Sequence, residues 1–242
     1  MDLSEMAFAT MTWARDAEEE RLLRESLPLL ANLGAPVFVA DGGSGEQFLN
    51  FIRGLPTLNV IETGRPGVWH QACTSIEAAF GASGAKFILY TESDKRDFFR
   101  EDLREFVAEA PAGGDVGVVL ASRSPESFRT FPEFQRHTET TVNRCCTEVL
   151  GLEADFTYGP FILNRALVPH VAKAQSDFGW GWRPYAFATA RRLGYGLRHV
   201  ERHLPCPLEQ REDDAAERLY RMRQLAQNVQ GLLGALAGVR GC

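Results

Sequence analysis

Apolar positions along this chain follow two alternating rhythms: short unbroken runs, and longer stretches carrying one apolar face. Runs at 6–12, 36–40 (PVFVA), 58–62, 86–91 (KFILYT) and 115–121 (DVGVVLA) predict strands. The stretches between them predict helices over 16–32, 45–53, from the Gly64-Arg65-Pro66-Gly67 turn to about Phe80, and over 98–110. In the first of these, an acidic turn precedes Leu22, Leu23, Leu27 and Leu30 on one face. Alternating strands and helices joined by short Gly-rich connections imply an α/β fold: a mostly parallel central sheet flanked by helices.

The second half is less regular. A helix is expected over 134–150, closed by Gly151, and a strand within 155–164. A helix over 183–193 stops at Gly194, and a short strand follows at 196–200. From about 213 to 236, Leu219, Met222, Leu225, Ala226, Val229, Leu232, Leu233 and Leu236 recur at helical spacing and predict a C-terminal helix. No repeat, low-complexity stretch or linker interrupts the chain, so a single domain over 1–242 is the simplest organisation.

Composition narrows the function classes. The 242 residues are 45% hydrophobic and 24% charged, with a formal net charge of −6, which argues against broad binding to nucleic acid or to anionic membrane. The first twenty or so residues lack a basic start followed by an apolar stretch and turn acidic at Glu18, Glu19 and Glu20. No apolar run reaches bilayer length, so no transmembrane segment is expected. Cys73, Cys145, Cys146, Cys206 and Cys242 form no CxxC pair, and a disulfide between the adjacent Cys145 and Cys146 would be strained. They are expected to be reduced thiols of a cytoplasmic protein.

Ligands of open α/β sheets collect beyond the carboxyl ends of the strands. There, PVFVA delivers Asp41, Gly42 and Gly43, a carboxylate able to accept from a base or ribose beside backbone that a ligand can approach closely. The competing reading is an Asp-Gly turn that only reverses the chain. The strand FILYT delivers Glu92, Ser93 and Asp94, two carboxylates suited to Mg²⁺ or Mn²⁺ on a diphosphate; alternatively this is a solvated loop neutralised by Lys95 and Arg96. His199 and His203 could add a nitrogen ligand or serve as surface histidines. The aromatic segment 179–185 (GWGWRPY) could be a sugar or acceptor platform or could pack the core. Arg65, Arg123 and Arg183 are candidates for phosphate contacts. P-loop, GxGxxG, zinc-ligand and Ser-His-Asp patterns are absent.

With those motifs in place, the order of VFVADGGSG at 37–45, the Gly-Arg-Pro-Gly turn and FILYTESD at 87–94 resembles GT-A fold (Rossmann-like) glycosyltransferases, particularly the family 2-like group. The resemblance spans about 6–200 and is strongest before 125. It implies a nucleotide-binding half at 1–125, an acceptor-side half at 126–210 and a C-terminal helix at 211–242. It also implies a nucleotide-diphosphate sugar donor, Mg²⁺ or Mn²⁺, and an acceptor that the sequence leaves unnamed. Thr12, Asp41, Gly42, Gly43, Arg65 and Ser93 would surround the nucleotide, Asp41 on the base. Glu92 and Asp94 would hold the metal, Asp94 directly. A looser similarity to glucosyl-3-phosphoglycerate and mannosylglycerate synthases, in a late histidine before a long C-terminal helix, implies His203 as a further ligand, or His199. Arg123, Tyr158, Gly159, Trp180, Trp182 and Arg183 would line the sugar and acceptor side.

Two positions depart from that pattern. Glu92 stands where the metal motif has Asp, and Trp182 and Arg183 stand where inverting members carry an acidic pair. Neither Trp nor Arg can deprotonate a hydroxyl at neutral pH, which leaves three alternatives: a retaining enzyme that needs no such base, a base drawn from elsewhere with Asp177 and Asp155 as the catalytic candidates, or loss of transfer activity. A metal-dependent glycosyltransferase is the leading expectation. A sugar-phosphate nucleotidyltransferase and a non-catalytic nucleotide-sugar-binding protein are the alternatives; the first is weakened by the absence of glycine from TMTWARD at 10–16. The amphipathic C-terminal helix could dock on its own sheet or on a second copy in a homo-oligomer.

Overall fold

In a computed structural model, residues 1–82 and 84–237 are described. The apolar runs form β1 (Met6–Thr12), β2 (Val37–Asp41), β3 (Leu58–Glu62), β4 (Phe87–Tyr90), β5 (Val116–Arg123), β6 (Phe161–Asn164) and β7 (Gly196–Arg202). The amphipathic stretches form α1 (Ala17–Ala31), α2 (Glu46–Arg53), α3 (Val68–Ala82), α4 (Leu103–Glu109), α5 (Pro125–Phe128), α6 (Glu133–Leu150), α7 (Val168–Val171), α8 (Trp182–Arg192) and α9 (Ala215–Leu236). The fold is α/β with mostly parallel strands, as the alternation predicted. The chain groups into two compact units, Met1–Ala112 with Pro160–Val168, and Gly113–Gly159 with Pro169–Cys242. The break falls after Ala112, so β5 groups with the later residues instead of with β1 to β4.

In the first unit the strands lie in the order β3-β2-β1-β4-β6. β1 to β4 are parallel, and β6 runs antiparallel to β4 with Tyr90 opposite Phe161. β1, β2 and β4 are buried almost throughout because both faces are covered, which is why they read as continuous apolar runs. α3 packs on β1, β2 and β4 through a face that includes Trp69, Ala72, Ile76 and Ala79. Asp16 caps α1 by accepting from the backbone N–H groups of Glu18 and Glu19.

In the second unit β5 and β7 pair in parallel, with a register shift between Val116 and Val118. α8 packs on both strands, and α9 packs on α8, on α6 and on the tight turn Ser176–Gly181. Gly151 ends α6 at φ 66°, the left-handed cap the sequence signalled.

Two element expectations change. The strand expected within 155–164 is restricted to Phe161–Asn164. Residues ahead of it are held as a loop by Asn143, which accepts from the Phe156 N–H at 2.9 Å and donates to Asp155 at 3.1 Å, and by Gly159 at φ 128°. The helix expected over 98–110 opens with a wide π-type turn at Phe98–Asp102 before α4 begins. No disulfide joins Cys73, Cys145, Cys146 or Cys206, and Cys242 lies outside the described residues. Among the described residues, no helix is long and apolar enough to cross a membrane.

Candidate functional site

The strand order of the first unit sets its chemistry. From β1 the chain moves outward on one side to β2 and β3, then returns to place β4 on the other side of β1. β1 and β4 therefore flank a topological switch point, the place where ligands of open parallel sheets bind, beyond the carboxyl ends. Thr12 ends β1, and Glu92 to Asp94 follow β4 at that edge.

The loops at this edge are pinned to one another by buried polar side chains. The Asp41 carboxylate, 1% exposed, accepts from Thr12 Oγ1 at 2.9 Å, from the Gly43 and Ser44 N–H groups at 2.8 Å each, and from Ser44 Oγ at 2.6 Å. Four donors exhaust what a carboxylate accepts. At the position where the sequence pattern expected a base contact, the Asp41 carboxylate shapes the Gly42-Gly43-Ser44 turn and ties it to β1. Ser93 likewise serves as a pin, its hydroxyl donating to the Met11 carbonyl at 2.7 Å and its carbonyl accepting from Ser26 Oγ at 2.6 Å. Its half-buried neighbours Glu92 and Asp94 are thereby fixed beside the end of β1. Arg65 is exposed on the loop after β3.

Sequence reasoning missed Gln71. From α3, its Nε2 donates to the Thr12 carbonyl at 2.8 Å and the Ala40 carbonyl at 3.1 Å, while Oε1 accepts from the Gly67 N–H at 3.0 Å. A Cβ on Gly42 would meet Gln71 Nε2 at 2.9 Å, so a larger residue there would have to displace the Gln71 amide. The available signal was a glutamine on the same buried face as Ala72, Ser75 and Ile76, where a polar group needs partners. Gln71→Leu leaves the Thr12 and Ala40 carbonyls without this donor. It is expected to cost about 1–3 kcal/mol and to speed amide exchange at Gly42 and Gly67, checked by urea melts and hydrogen exchange.

The second unit holds the acceptor-side candidates in two clusters. Arg123, with its side chain 1% exposed, bonds Asp155 Oδ2 at 2.6 Å, Glu139 Oε2 at 2.6 Å and Thr157 Oγ1 at 2.8 Å. Its guanidinium carbon lies 4.3 Å from the Phe131 ring centroid, 4.7 Å from Phe128 and 5.8 Å from Tyr158. Burial pushes the Asp155 carboxyl up, but the Arg123 charge and the bonds from Arg123 and Thr157 outweigh it and hold the carboxyl well below the usual range. So strongly stabilised a carboxylate is a poor base. The catalytic expectation for Asp155 and the phosphate or acceptor expectation for Arg123 are corrected to a structural ion pair, with Tyr158 stacked on it ahead of Gly159.

The aromatic segment is also reassigned. Trp182 is fully buried at the start of α8 and has no face to offer a sugar. Trp180 donates from Nε1 to Tyr220 of α9 at 2.9 Å, and its N–H bonds Gln227 Oε1 at 3.2 Å. Arg183, 6% exposed, lies 5.0 Å from the Trp180 ring centroid. A Cβ on Gly181 would coincide with the Gln227 carbonyl, and one on Gly231 with the Gly181 carbonyl. The segment is thus the seat of the C-terminal helix on its own chain. Asp177 remains exposed on the same turn. His203 is exposed past β7, with Nδ1 3.2 Å from Ser127 Oγ, and His199 is exposed within β7. Among the described residues, no group of three His, Cys, Asp or Glu side chains is gathered that could hold a metal.

No protein-family model matches the sequence, and no curated protein matches it. Solved structures do. Glucosyl-3-phosphoglycerate synthase from Mycobacterium tuberculosis, in complex with Mn²⁺, uridine diphosphate and phosphoglyceric acid, superposes with a TM-score of 0.64 at 16% identity, covering 95% of this chain and 78% of that one. The same enzyme with uridine diphosphate gives 0.65 at 16% identity over 96% and 80%. A structure described only as a mycobacterial protein gives 0.67 at 16% identity over 96% and 74%. The fold is that of the GT-A glycosyltransferases. Identity at this level carries the architecture and leaves activity to be argued from the site.

Proposed function

We propose that the protein is a glycosyltransferase that draws on a nucleotide-diphosphate sugar, with the donor bound at the edge of the first unit. The observation that carries this reading is the switch point between β1 and β4, where a braced set of loops presents Glu92 and Asp94. The GT-A fold of the matched synthase structures, which hold uridine diphosphate with Mn²⁺ or Mg²⁺, supports it.

The donor set fits a hard divalent cation: Glu92 and Asp94 offer oxygen ligands of the kind Mg²⁺ and Mn²⁺ prefer. With no third ligating side chain gathered among the described residues, phosphate oxygens and water would complete the shell, so the ion and the nucleotide should bind together. Bound there, the cation would stabilise negative charge on the departing diphosphate. Ser93 holds the two carboxylates in register with β1, Asp41 and Gln71 keep the glycine loop rigid for close approach, and Arg65 is exposed to meet a phosphate. Asp177, exposed on the Ser176–Gly181 turn, is the residue we propose for proton removal from an acceptor, should the reaction need a base.

Calorimetric titration of UDP, GDP and their sugar conjugates, with Mn²⁺ and with chelator, tests the reading. One nucleotide should bind with metal, and Asp94→Ala should weaken that binding at least ~10-fold, about 1.4 kcal/mol. No binding of any of these nucleotides would sink the proposal. A second reading, a nucleotide-sugar-binding protein without transfer activity, is favoured by Trp182 and Arg183 in the place of the acidic pair and by the neutralised Asp155. Slow release of free sugar from the bound donor separates the two: it occurs in a transferase and is absent from a binder.

A further inference from the structure

The C-terminal helix presents its larger apolar side chains to solvent. Against its own unit, α9 packs closely on small and polar positions: Gly231 lies against the Gly181 carbonyl, Asn228 is 6% exposed, and Gln227 Oε1 accepts from the Trp180 N–H. On the opposite side Leu219 is 46% exposed, Met222 48% and Leu233 61%. A helix that only covers its own core shows the reverse, with polar residues outward. Between Leu219 and Ala237, Arg223 is the only charged residue that is exposed. An apolar stripe of this kind marks a contact surface.

The spacing identifies the kind of surface. Leu219, Met222, Ala226, Val229, Leu233 and Leu236 follow one another at alternating steps of three and four residues, the a and d positions of a heptad seam. Leu219, Ala226 and Leu233 stand exposed, while Val229 and Leu236 are half-buried along one flank. The seam covers most of a 22-residue helix, so it is long enough for several layers of knobs-into-holes packing.

Charge then sets the direction of the partner helix. A parallel pair would place Arg218, at a g position, beside Arg223 of the second helix, at an e position, and would repeat that like-charge contact on the other side. Reversing one helix removes it. With the two-fold axis between residues 227 and 228, Met222 faces Leu233 of the second copy, Ala226 faces Val229, and Leu219 faces Leu236, each contact occurring twice. Arg223 then comes beside Gln230, and the two Arg218 side chains lie at opposite ends, each tied to its own Asp213. The seam is complementary to itself, which is what an isologous two-fold contact requires.

We propose that α9 pairs antiparallel with α9 of a second copy of this chain through this seam. The contact rests on the second unit alone and is independent of the donor-site reading. One helix pair is a small interface, near the ~1,200 Å² lower bound of stable complexes, so the dimer should come apart on dilution.

Light scattering and sedimentation of the full chain over a concentration series test this, and a monomer–dimer equilibrium is expected. Met222→Glu and Leu233→Lys should each weaken association at least ~10-fold, because each puts an unpaired charge into an apolar layer. Both positions are exposed in the single chain, so melting temperatures at low concentration should be unchanged. The double variant Met222→Glu with Leu233→Lys decides the direction. In the antiparallel pair each new carboxylate faces a new ammonium and dimerisation returns, whereas a parallel pair would oppose like charges and lose it further. A chain that stays monomeric up to ~0.1 mM, which would leave the face to a different protein, overturns the proposal. So does a dimer that neither single variant weakens, or a double variant that associates no better than the single ones.

Discussion

Replacing Arg123 with methionine is expected to lower stability by roughly 3–5 kcal/mol, the cost of leaving a buried charge without its partner. Asp155 and Glu139 both lie against this guanidinium, with side-chain exposures of 8% and 12%, and neither can recover its lost partner from bulk water without opening the loop ahead of β6. The double variant Arg123→Met with Asp155→Asn should recover part of the loss, since it removes charge on both sides. The pH dependence follows from the sign of the shift. Asp155 has a folded-state value held below its ordinary one, so its contribution is fully present above the ordinary carboxylate range and is lost as pH falls through the depressed folded value. In Arg123→Met burial is opposed only by uncharged donors, from Thr157, Asn143 and the backbone N–H of residue 123, so that acid-side loss should shrink or reverse. Urea melts at neutral pH and below the carboxylate range check both points; a neutral-pH loss under 1 kcal/mol would show that the pair is not the structural hub described here.

Gly181→Ala is the second large effect, expected to cost about 3 kcal/mol, at the upper end of overpacking penalties. The new methyl group would occupy the place of the Gln227 carbonyl, backbone that cannot turn aside as a flexible side chain could. Relief requires α9 to lift from the Ser176–Gly181 turn, breaking the Trp180 bonds to Gln227 and Tyr220 on the way. Tryptophan fluorescence and the urea midpoint should therefore change together. Gly231→Ala meets the same contact from the other side and should give a similar loss, with the double variant far from additive. Gly45→Ala is the control, because a Cβ there meets nothing within 4 Å and its φ of −66° is open to any residue. A Gly181→Ala protein as stable as wild type would mean that α9 is not seated as described.

Much of the first unit was legible in the sequence, down to β1 at Met6–Thr12 and β3 at Leu58–Glu62. Fully buried parallel strands show as unbroken apolar runs, and the loops that follow them show as Gly and Asp clusters, so both signals sit within a few neighbouring residues. The candidate site was only half legible. That Asp41, Ser93, Glu92 and Asp94 lie at strand ends could be read; that Asp41 and Ser93 are spent on Thr12, Ser44 and Met11 could not. Gln71 escaped notice because its partners at Thr12 and Ala40 stand 59 and 31 positions away.

By itself, then, the sequence determined the order and kind of elements, the parallel character of the first strands, and which loops end at a carboxyl edge. Those properties follow from the periodicity of side chains along a local stretch of backbone. The tertiary structure alone decided which charges are used up and which face a ligand. Arg123 finds Asp155 across 32 positions, and Trp180 finds Tyr220 across 40. A buried guanidinium or indole must take whatever acceptor the packing brings to it, and local pattern carries no record of that choice.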